Sequence, residues 1–193
     1  MRLANSEPTP GRVADEHALI DRAQAGDREA FAALVDRYWN GLYRWLYHLT
    51  HDGHTAEDLA QEAFLKAYRG LASFRAGSHF RAWLFRIAHN SFLNQRRGAA
   101  RCSQSVPEQV AAPDAGPDEQ AAQRESLQLL ARAVGRLPAE YRAAFLLRVE
   151  EGLSFRQVAQ VLGITEQTAR WRVFKARQKL LTVLAPQPER KKP

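Results

Sequence analysis

The chain of 193 residues has a formal net charge of +7 and a pI near 10.0, which indicates a polyanionic partner, nucleic acid more readily than a membrane. Because 45% of its residues are hydrophobic, it can bury a substantial core, yet no apolar run approaches membrane-spanning length. The single cysteine, Cys102, excludes an internal disulfide framework, and the N-terminus lacks a signal peptide's apolar stretch, so we expect a cytoplasmic protein without membrane insertion.

The first half of the chain shows helical periodicity only. Residues 1–14 are rich in proline and polar residues and are expected to form a disordered leader. Helical spacing begins at about Glu16, and Asp27 is expected to cap a second helix. Residues 51–54 predict a turn, after which Thr55 is expected to cap a third helix.

The third helix has an acidic and apolar patch on the side opposite its small inward-facing residues. The patch consists of Asp58, Gln61, Glu62 and Leu65. Solvent-exposed charge with good helix propensity explains this pattern as well as a docking surface for a protein partner does. The residues alone leave these two interpretations open.

A loop and a fourth helix, expected from about Phe80 to Arg97, interleave aromatic and cationic residues. This combination suits unpaired bases, because rings stack on bases and guanidinium groups hold phosphates. Within the helix, Phe80 and Trp83 fit a core stripe better than base stacking. The loop residues Phe74, Arg75 and His79 are therefore the better candidates for direct contact.

Residues 99–122 lose all periodicity and gain proline, alanine and acids, which predicts a flexible linker between two domains. Its acids would also suit a strand that threads a basic channel, although composition alone favours a solvated tether. Helix formers resume near Gln123, and Leu137-Pro138 separates that helix from the next. We expect no strand anywhere.

A helix-turn-helix is predicted over residues 153–180. Ser154 and Gln157 form a potential capping box, Gly163 can adopt the left-handed conformation that ends a helix, and Thr165 can cap the second helix. The outward face of that second helix places two aromatic residues among cations, which suits the major groove of DNA better than an ordinary solvated face.

Taken in order, these stretches resemble the extracytoplasmic-function (ECF, group IV) sigma factors of bacterial RNA polymerase, which have only domains 2 and 4. The matching segments are DREAFAALVDRY, AEDLAQEAFLKAYRGLASFR, FRAWLFRIAHN, RLPAEYRAAFLLRVEEGLSFRQVAQVLGIT and TARWRVFKAR. The resemblance implies an all-α protein of two small helical domains joined by a flexible linker, the second domain a helix-turn-helix bundle. Domain 2 would span 15–98, the linker 99–122, domain 4 123–185 and a basic tail 186–193.

The resemblance also implies a role for each surface. The residues expected to bind core polymerase, at the clamp helices of its largest subunit, are Asp58, Gln61, Glu62 and Leu65. Those expected at the minus-ten element, where one base is flipped out of the duplex, are Phe74, Arg75, Ser78, Trp83, Arg86 and Asn90. Those expected at the minus-thirty-five element are Gln167, Thr168, Arg170, Trp171, Phe174, Lys175 and Arg177.

The implied function is promoter recognition, DNA melting and transcription initiation with core polymerase. The implied partners are the core enzyme, including its flap, promoter DNA and an anti-sigma factor. Two departures from the family pattern are Ala76-Gly77-Ser78, where relatives often have Gly-Asp-Ser, and the bulky Trp171, which should change base preference. Promoter sequence cannot be transferred from relatives.

Two other classes of function fit the sequence less well. An enzyme is not expected, because the paired acids on the third helix lack a nucleophile and a pocket, and no motif indicates a cofactor. His48, His51 and His54 lack the further ligand that a tetrahedral metal site needs, so no metal is expected. A stand-alone helix-turn-helix regulator is the alternative, but it would leave the first domain without a role.

Overall fold

The structure is a computed structural model and describes residues 10–75, 78–102 and 129–184. Every regular element in these ranges is helical, which confirms the all-α fold class. None of the described helices combines the length and apolar character that a membrane crossing demands. In chain order the elements are α1 (Pro10–Gln24), α2 (Arg28–Thr50), α3 (Gly53–Gly70), a 3₁₀ turn (Leu71–Ser73), α4 (Phe80–Cys102), α5 (129–135), α6 (Ala139–Val149), α7 (Phe155–Leu162) and α8 (Glu166–Leu184).

The N-terminal half, α1 to α4, is built around α2, which packs against α1, α3 and α4. A buried stripe recurs along α2 at spacings of three and four residues, so that one face of the helix is turned to the core over its whole length. Leu34, Leu42 and Leu46 on this stripe are fully buried. The N-terminus of α2 is capped by the Asp27 carboxylate, which accepts hydrogen bonds from two backbone amides, as the sequence predicts.

The C-terminal half, α5 to α8, contains the predicted helix-turn-helix. Ser154 and Gln157 form the reciprocal capping box at the start of α7, with donor–acceptor distances of 2.7 and 3.2 Å. Gly163 ends α7 in the left-handed conformation, at φ +65°. The Thr165 hydroxyl accepts a hydrogen bond from the Thr168 amide at 3.1 Å and so caps α8. Both α6 and α7 pack on α8.

Three predicted boundaries are wrong. Helix α1 begins at Pro10, inside the expected leader, because proline fits the first turn of a helix, where its missing N–H would have no partner. Asp52 rather than Thr55 caps α3, which begins three residues earlier than expected, since the Asp52 carboxylate accepts the Thr55 amide at 2.7 Å. Helix α4 continues to Cys102, so the first four residues of the expected linker are helical.

The other calls on connecting segments lie outside the described residues. They concern the leader over residues 1–9, loop residues 76–77, the linker over 103–122 together with the helix start at 123, and the basic tail over 186–193.

The two halves pack directly against each other, which the sequence does not predict. Helix α4 lies on α7 and α2 lies on α6. The indole Nε1 of Trp45 donates to the Ala143 carbonyl at 3.4 Å, and the Arg81 guanidinium donates to the Glu151 carbonyl at 2.6 Å. Gly41 permits a close approach here, because a Cβ at this position would lie 2.9 Å from both carboxylate oxygens of Glu151. The C-terminal half is therefore held over one side of α2 and α4.

We expect Ser154→Ala to destabilise the protein by about 1 kcal/mol, because the amide of Gln157 would lose its partner at the start of α7. Urea unfolding followed by circular dichroism measures the change. Ser154→Asp is the control, since aspartate is an equally good cap and should preserve the stability of the native protein. Equal losses in the two variants would contradict the capping role.

Candidate nucleic-acid and partner interfaces

The α3 patch, defined as Asp58, Gln61, Glu62 and Leu65, is formed as predicted by one exposed side of α3. All four side chains are exposed, Leu65 by 58%, because the other side of the helix packs through Leu59 and small alanines. Glu62 pairs with Lys66 at 2.5 Å, but an exposed ion pair is weak and leaves the carboxylate available to a partner.

Tyr68 extends the α3 patch and was missed in the sequence. It lies three residues after Leu65, hence on the same side of α3, and is exposed. Its ring packs edge-on against Phe31 of α2, with the centroids 4.9 Å apart. The spacing from Leu65 was the available signal, since an exposed aromatic beside an exposed leucine is typical of a protein interface.

An aromatic cluster closes the start of α4. The centroid of Phe74 lies 5.6 Å from that of Phe80 and 5.0 Å from that of Trp83. The ring of Phe74 is only 7% exposed, so direct contact with DNA, as predicted, would require the ring to leave this cluster. The side chain turns inward because burying a phenyl ring among other rings is more favourable than leaving it in water. Trp83 is half-buried against the cluster.

Gln24, which sequence reasoning did not single out, fixes the backbone of the loop before α4. Its side-chain amide donates to the Leu71 carbonyl at 2.9 Å and to the Phe74 carbonyl at 2.8 Å. No sequence pattern marks this residue, because the bonds span about 50 positions along the chain. The 3₁₀ turn and Phe74 are therefore held against the end of α1.

Three of the predicted minus-ten residues, Ser78, Trp83 and Arg86, lie along one wall of a cleft between the two halves, with a volume of about 500 Å³. Arg75 and Asn90 are exposed outside the cleft lining. A DNA strand on this face of α4 would have to share the cleft with α7. The lining consists of Ser78, His79, Ala82, Trp83 and Arg86 from the N-terminal half and Ser154, Arg156, Gln157 and Gln160 from the C-terminal half.

The α8 face, defined as the predicted minus-thirty-five residues, is turned outward. Trp171 is 48% exposed and Phe174 54%, whereas Val173 and Ala176 on the opposite side of the helix are buried in the core. The Trp171 ring packs edge-on against Tyr141 of α6, with the centroids 5.6 Å apart, so the indole is held in one orientation. Gln167, Arg170 and Arg177 are exposed, and Thr168 and Lys175 half-buried.

Burial between the halves changes the pKa of several titratable groups. Burial lowers the pKa of His48 below the ordinary value, and Arg142 and Arg44 lower it further. Burial also lowers the pKa of His89, opposed by a backbone hydrogen bond with Val161 and assisted by Arg172. For Glu150 and Glu151, burial raises the pKa of the carboxyl, opposed by Arg44 and, for Glu151, chiefly by Arg81. These residues lie where α2 and α4 meet the C-terminal half, so their titration reports on the packing.

Among the described residues, no group of three or more histidines, cysteines or acids is placed to hold a metal ion. His48 instead contributes to the contact between the halves, with Arg142 of α6 close enough to influence its pKa.

Comparison with known proteins matches both halves to one family. The family model for sigma-70 region 2 matches residues 34–102, and the model for sigma-70 region 4 matches residues 127–180. The RNA polymerase sigma-H factor of Pseudomonas aeruginosa is 34% identical over 184 residues, which cover 89% of this chain and 94% of that protein. The ECF RNA polymerase sigma-E factor of Haemophilus influenzae is 32% identical over 184 residues, covering 89% and 96%.

A solved structure has the same arrangement of helices. The sigma factor RpoE of Bartonella quintana, in complex with the anti-sigma factor NepR, aligns with a TM-score of 0.66 at 27% identity. The alignment covers 82% of this chain and 98% of that one.

We expect acidification from pH 7.5 to 5.5 to destabilise the native protein through His48 and His89. Their pKa values are lower in the folded state than the ordinary 6.5, so their contribution to stability is present above that value and is lost as the pH falls through it. Urea midpoints at the two pH values measure the loss. In the control, His48→Gln with His89→Gln, the urea midpoint should change less between the two pH values. The difference between the two proteins gives the contribution of the histidines, apart from that of Glu150 and Glu151. Parallel pH dependence in the two proteins would contradict this origin.

Proposed function

Because the chain belongs to the ECF sigma factors of RNA polymerase, we propose that three of its surfaces divide the tasks of transcription initiation among them. The α3 patch binds core polymerase, the start of α4 engages the minus-ten element, and the α8 face reads the minus-thirty-five element. The observation that carries this proposal is the presence, in one chain, of an exposed acidic and apolar patch and an exposed cationic and aromatic helix face.

The docking assignment is supported by the chemistry of the α3 patch. Asp58 and Glu62 are exposed carboxylates one turn apart, and Leu65 and Tyr68 beside them expose apolar surface. An exposed leucine next to acids is suited to a partner helix with basic and apolar residues, because burial of the apolar area gives affinity and charge pairing gives orientation. We assign this partner as the clamp helices of the largest subunit, with the flap contacting the C-terminal half.

The DNA assignments follow from the distribution of cations. On α8, Arg170 and Arg177 flank the two exposed aromatic side chains and can contact phosphates, while Trp171 and Phe174 reach base edges such as the thymine methyl group. At the minus-ten element we retain Arg75, Ser78, Trp83, Arg86 and Asn90 as contacts. The buried Phe74 ring packs against Trp83 and so positions it, without contacting the bases itself.

We further propose that an anti-sigma factor regulates the chain. The related sigma factor of Bartonella quintana was solved in complex with an anti-sigma factor, which supports a partner of the same kind here. A protein that binds both halves at once would stabilise the packing of α4 on α7. The minus-ten face would then stay in the cleft.

The direct test combines sigma-free bacterial core polymerase, the purified chain and genomic DNA fragments. Binding to core together with discrete new transcription start sites would support the proposal. DNA affinity without core binding would favour the stand-alone regulator instead.

We expect Asp58→Ala with Glu62→Ala to weaken binding to core polymerase roughly tenfold, because two carboxylates at the centre of the docking surface are removed. Fluorescence anisotropy of labelled chain titrated with core measures the affinity. Asp21→Ala with Glu29→Ala is the control: it changes the net charge equally at exposed positions of α1 and α2. Unchanged affinity in the first variant would refute the docking assignment.

We expect Arg177→Ala to reduce the slope of log affinity against log salt by about 1 on a duplex with the upstream promoter element, because one phosphate contact is lost. Arg37→Ala, which removes an exposed arginine from α2, should leave the slope unchanged. Equal slopes for Arg177→Ala and the native protein would contradict a phosphate contact at this position.

A further inference from the structure

Phe155, the first residue of α7, lies against two arginines from other helices. The guanidinium carbon of Arg148 on α6 is 4.8 Å from the centroid of its ring, and that of Arg170 on α8 is 4.6 Å away. Both distances are within the range of a cation–π interaction. One aromatic ring thus connects α6, α7 and α8 on the surface of the helix-turn-helix.

The backbone around Phe155 holds the ring in place. The capping box of Ser154 and Gln157 sets the direction in which α7 begins. Leu153 before it is buried, and its carbonyl accepts a hydrogen bond from the Arg148 guanidinium at 2.8 Å. The guanidinium of the half-buried Arg148 therefore contacts both the Leu153 carbonyl and the Phe155 ring, and this restricts the movement of the ring.

Arg170, by contrast, is an exposed side chain on the α8 face. It lies one turn before Phe174, so the two residues share one side of the helix. Its guanidinium also pairs with Glu166 at 2.5 Å. A free arginine samples many rotamers, and ordering it on DNA costs entropy, so a side chain that is already ordered binds better.

We infer that Phe155 is a positioning residue for DNA recognition, which orients Arg170 for its contact with the upstream promoter element without touching DNA itself. This inference rests on the proposed function of the α8 face. Glu166, the other partner of Arg170, opposes DNA binding because its carboxylate competes with the phosphates for the guanidinium. The aromatic ring orders the cation without neutralising it.

The test is a double-mutant cycle with Phe155→Leu and Arg170→Ala in the full chain, on a short duplex that carries the upstream element found by mapping the start sites. We expect Phe155→Leu to weaken binding about two- to fivefold, the effect of an exposed cation–π contact. In the Arg170→Ala background the same substitution should have no further effect. Phe155→Tyr, which keeps the ring, should retain native affinity.

Two controls separate positioning from a loss of fold. The urea midpoint of Phe155→Leu is measured together with its DNA affinity. Phe155→Tyr should bind DNA as the native protein does and should unfold at the same urea concentration as the native protein. Glu166→Gln should strengthen binding, because it removes an acid near the phosphates, and in that background Phe155→Leu should cost more than in the native protein.

Additive losses in the cycle would overturn the inference, since Phe155 would then act independently of Arg170. Native DNA affinity in Phe155→Leu would overturn the inference as well. If Arg170→Ala alone lost DNA affinity, the proposed role of the α8 face would still be supported. The proposed function itself would fail if the native protein bound the promoter duplex no better than a scrambled one.

Discussion

The buried indole of Trp45 is the contact on which the arrangement of both halves depends. Its ring packs against Phe85 of α4, with the centroids 5.4 Å apart, and its Nε1 donates to the Ala143 carbonyl of α6. One side chain of α2 therefore belongs to the core of the N-terminal half and to the contact with the C-terminal half. The packing of α4 on α7 and the cleft lined by both halves belong to the same interface.

Local features of the chain were predictable because their causes lie within a few residues. The caps at Asp27, Ser154 and Thr165 need only a side-chain oxygen and the next turn of backbone, and Gly163 needs only its own freedom to adopt positive φ. The exposed faces of α3 and α8 were predictable for the same reason, since helical spacing assigns each residue to a side. Thr55 failed as a cap because Asp52, a better acceptor in this turn, lies just before it.

Contacts between distant segments could not be predicted in this way. The inward turn of Phe74 depends on Phe80 and Trp83 meeting it in space, and the Phe155 contact depends on α6 and α8 arriving from elsewhere. The composition of residues 99–122 indicated two separate domains, but it gave no information on whether these domains pack against each other. The amphipathic pattern of α4 shows the same limit, because its buried residues pack against three helices, α2, α3 and α7, and the pattern does not tell them apart.

Gly41 makes the side chain allowed at position 41 depend on the side chain at position 151, far away in the chain. The carboxylate of Glu151 occupies the space that any larger side chain at position 41 would need. An alanine or serine there would require the Glu151 carboxylate to move, although the Glu151 backbone carbonyl could keep its hydrogen bond with Arg81. The side chains at positions 41 and 151 should therefore vary together among relatives that keep the two halves packed, and independently in those that do not.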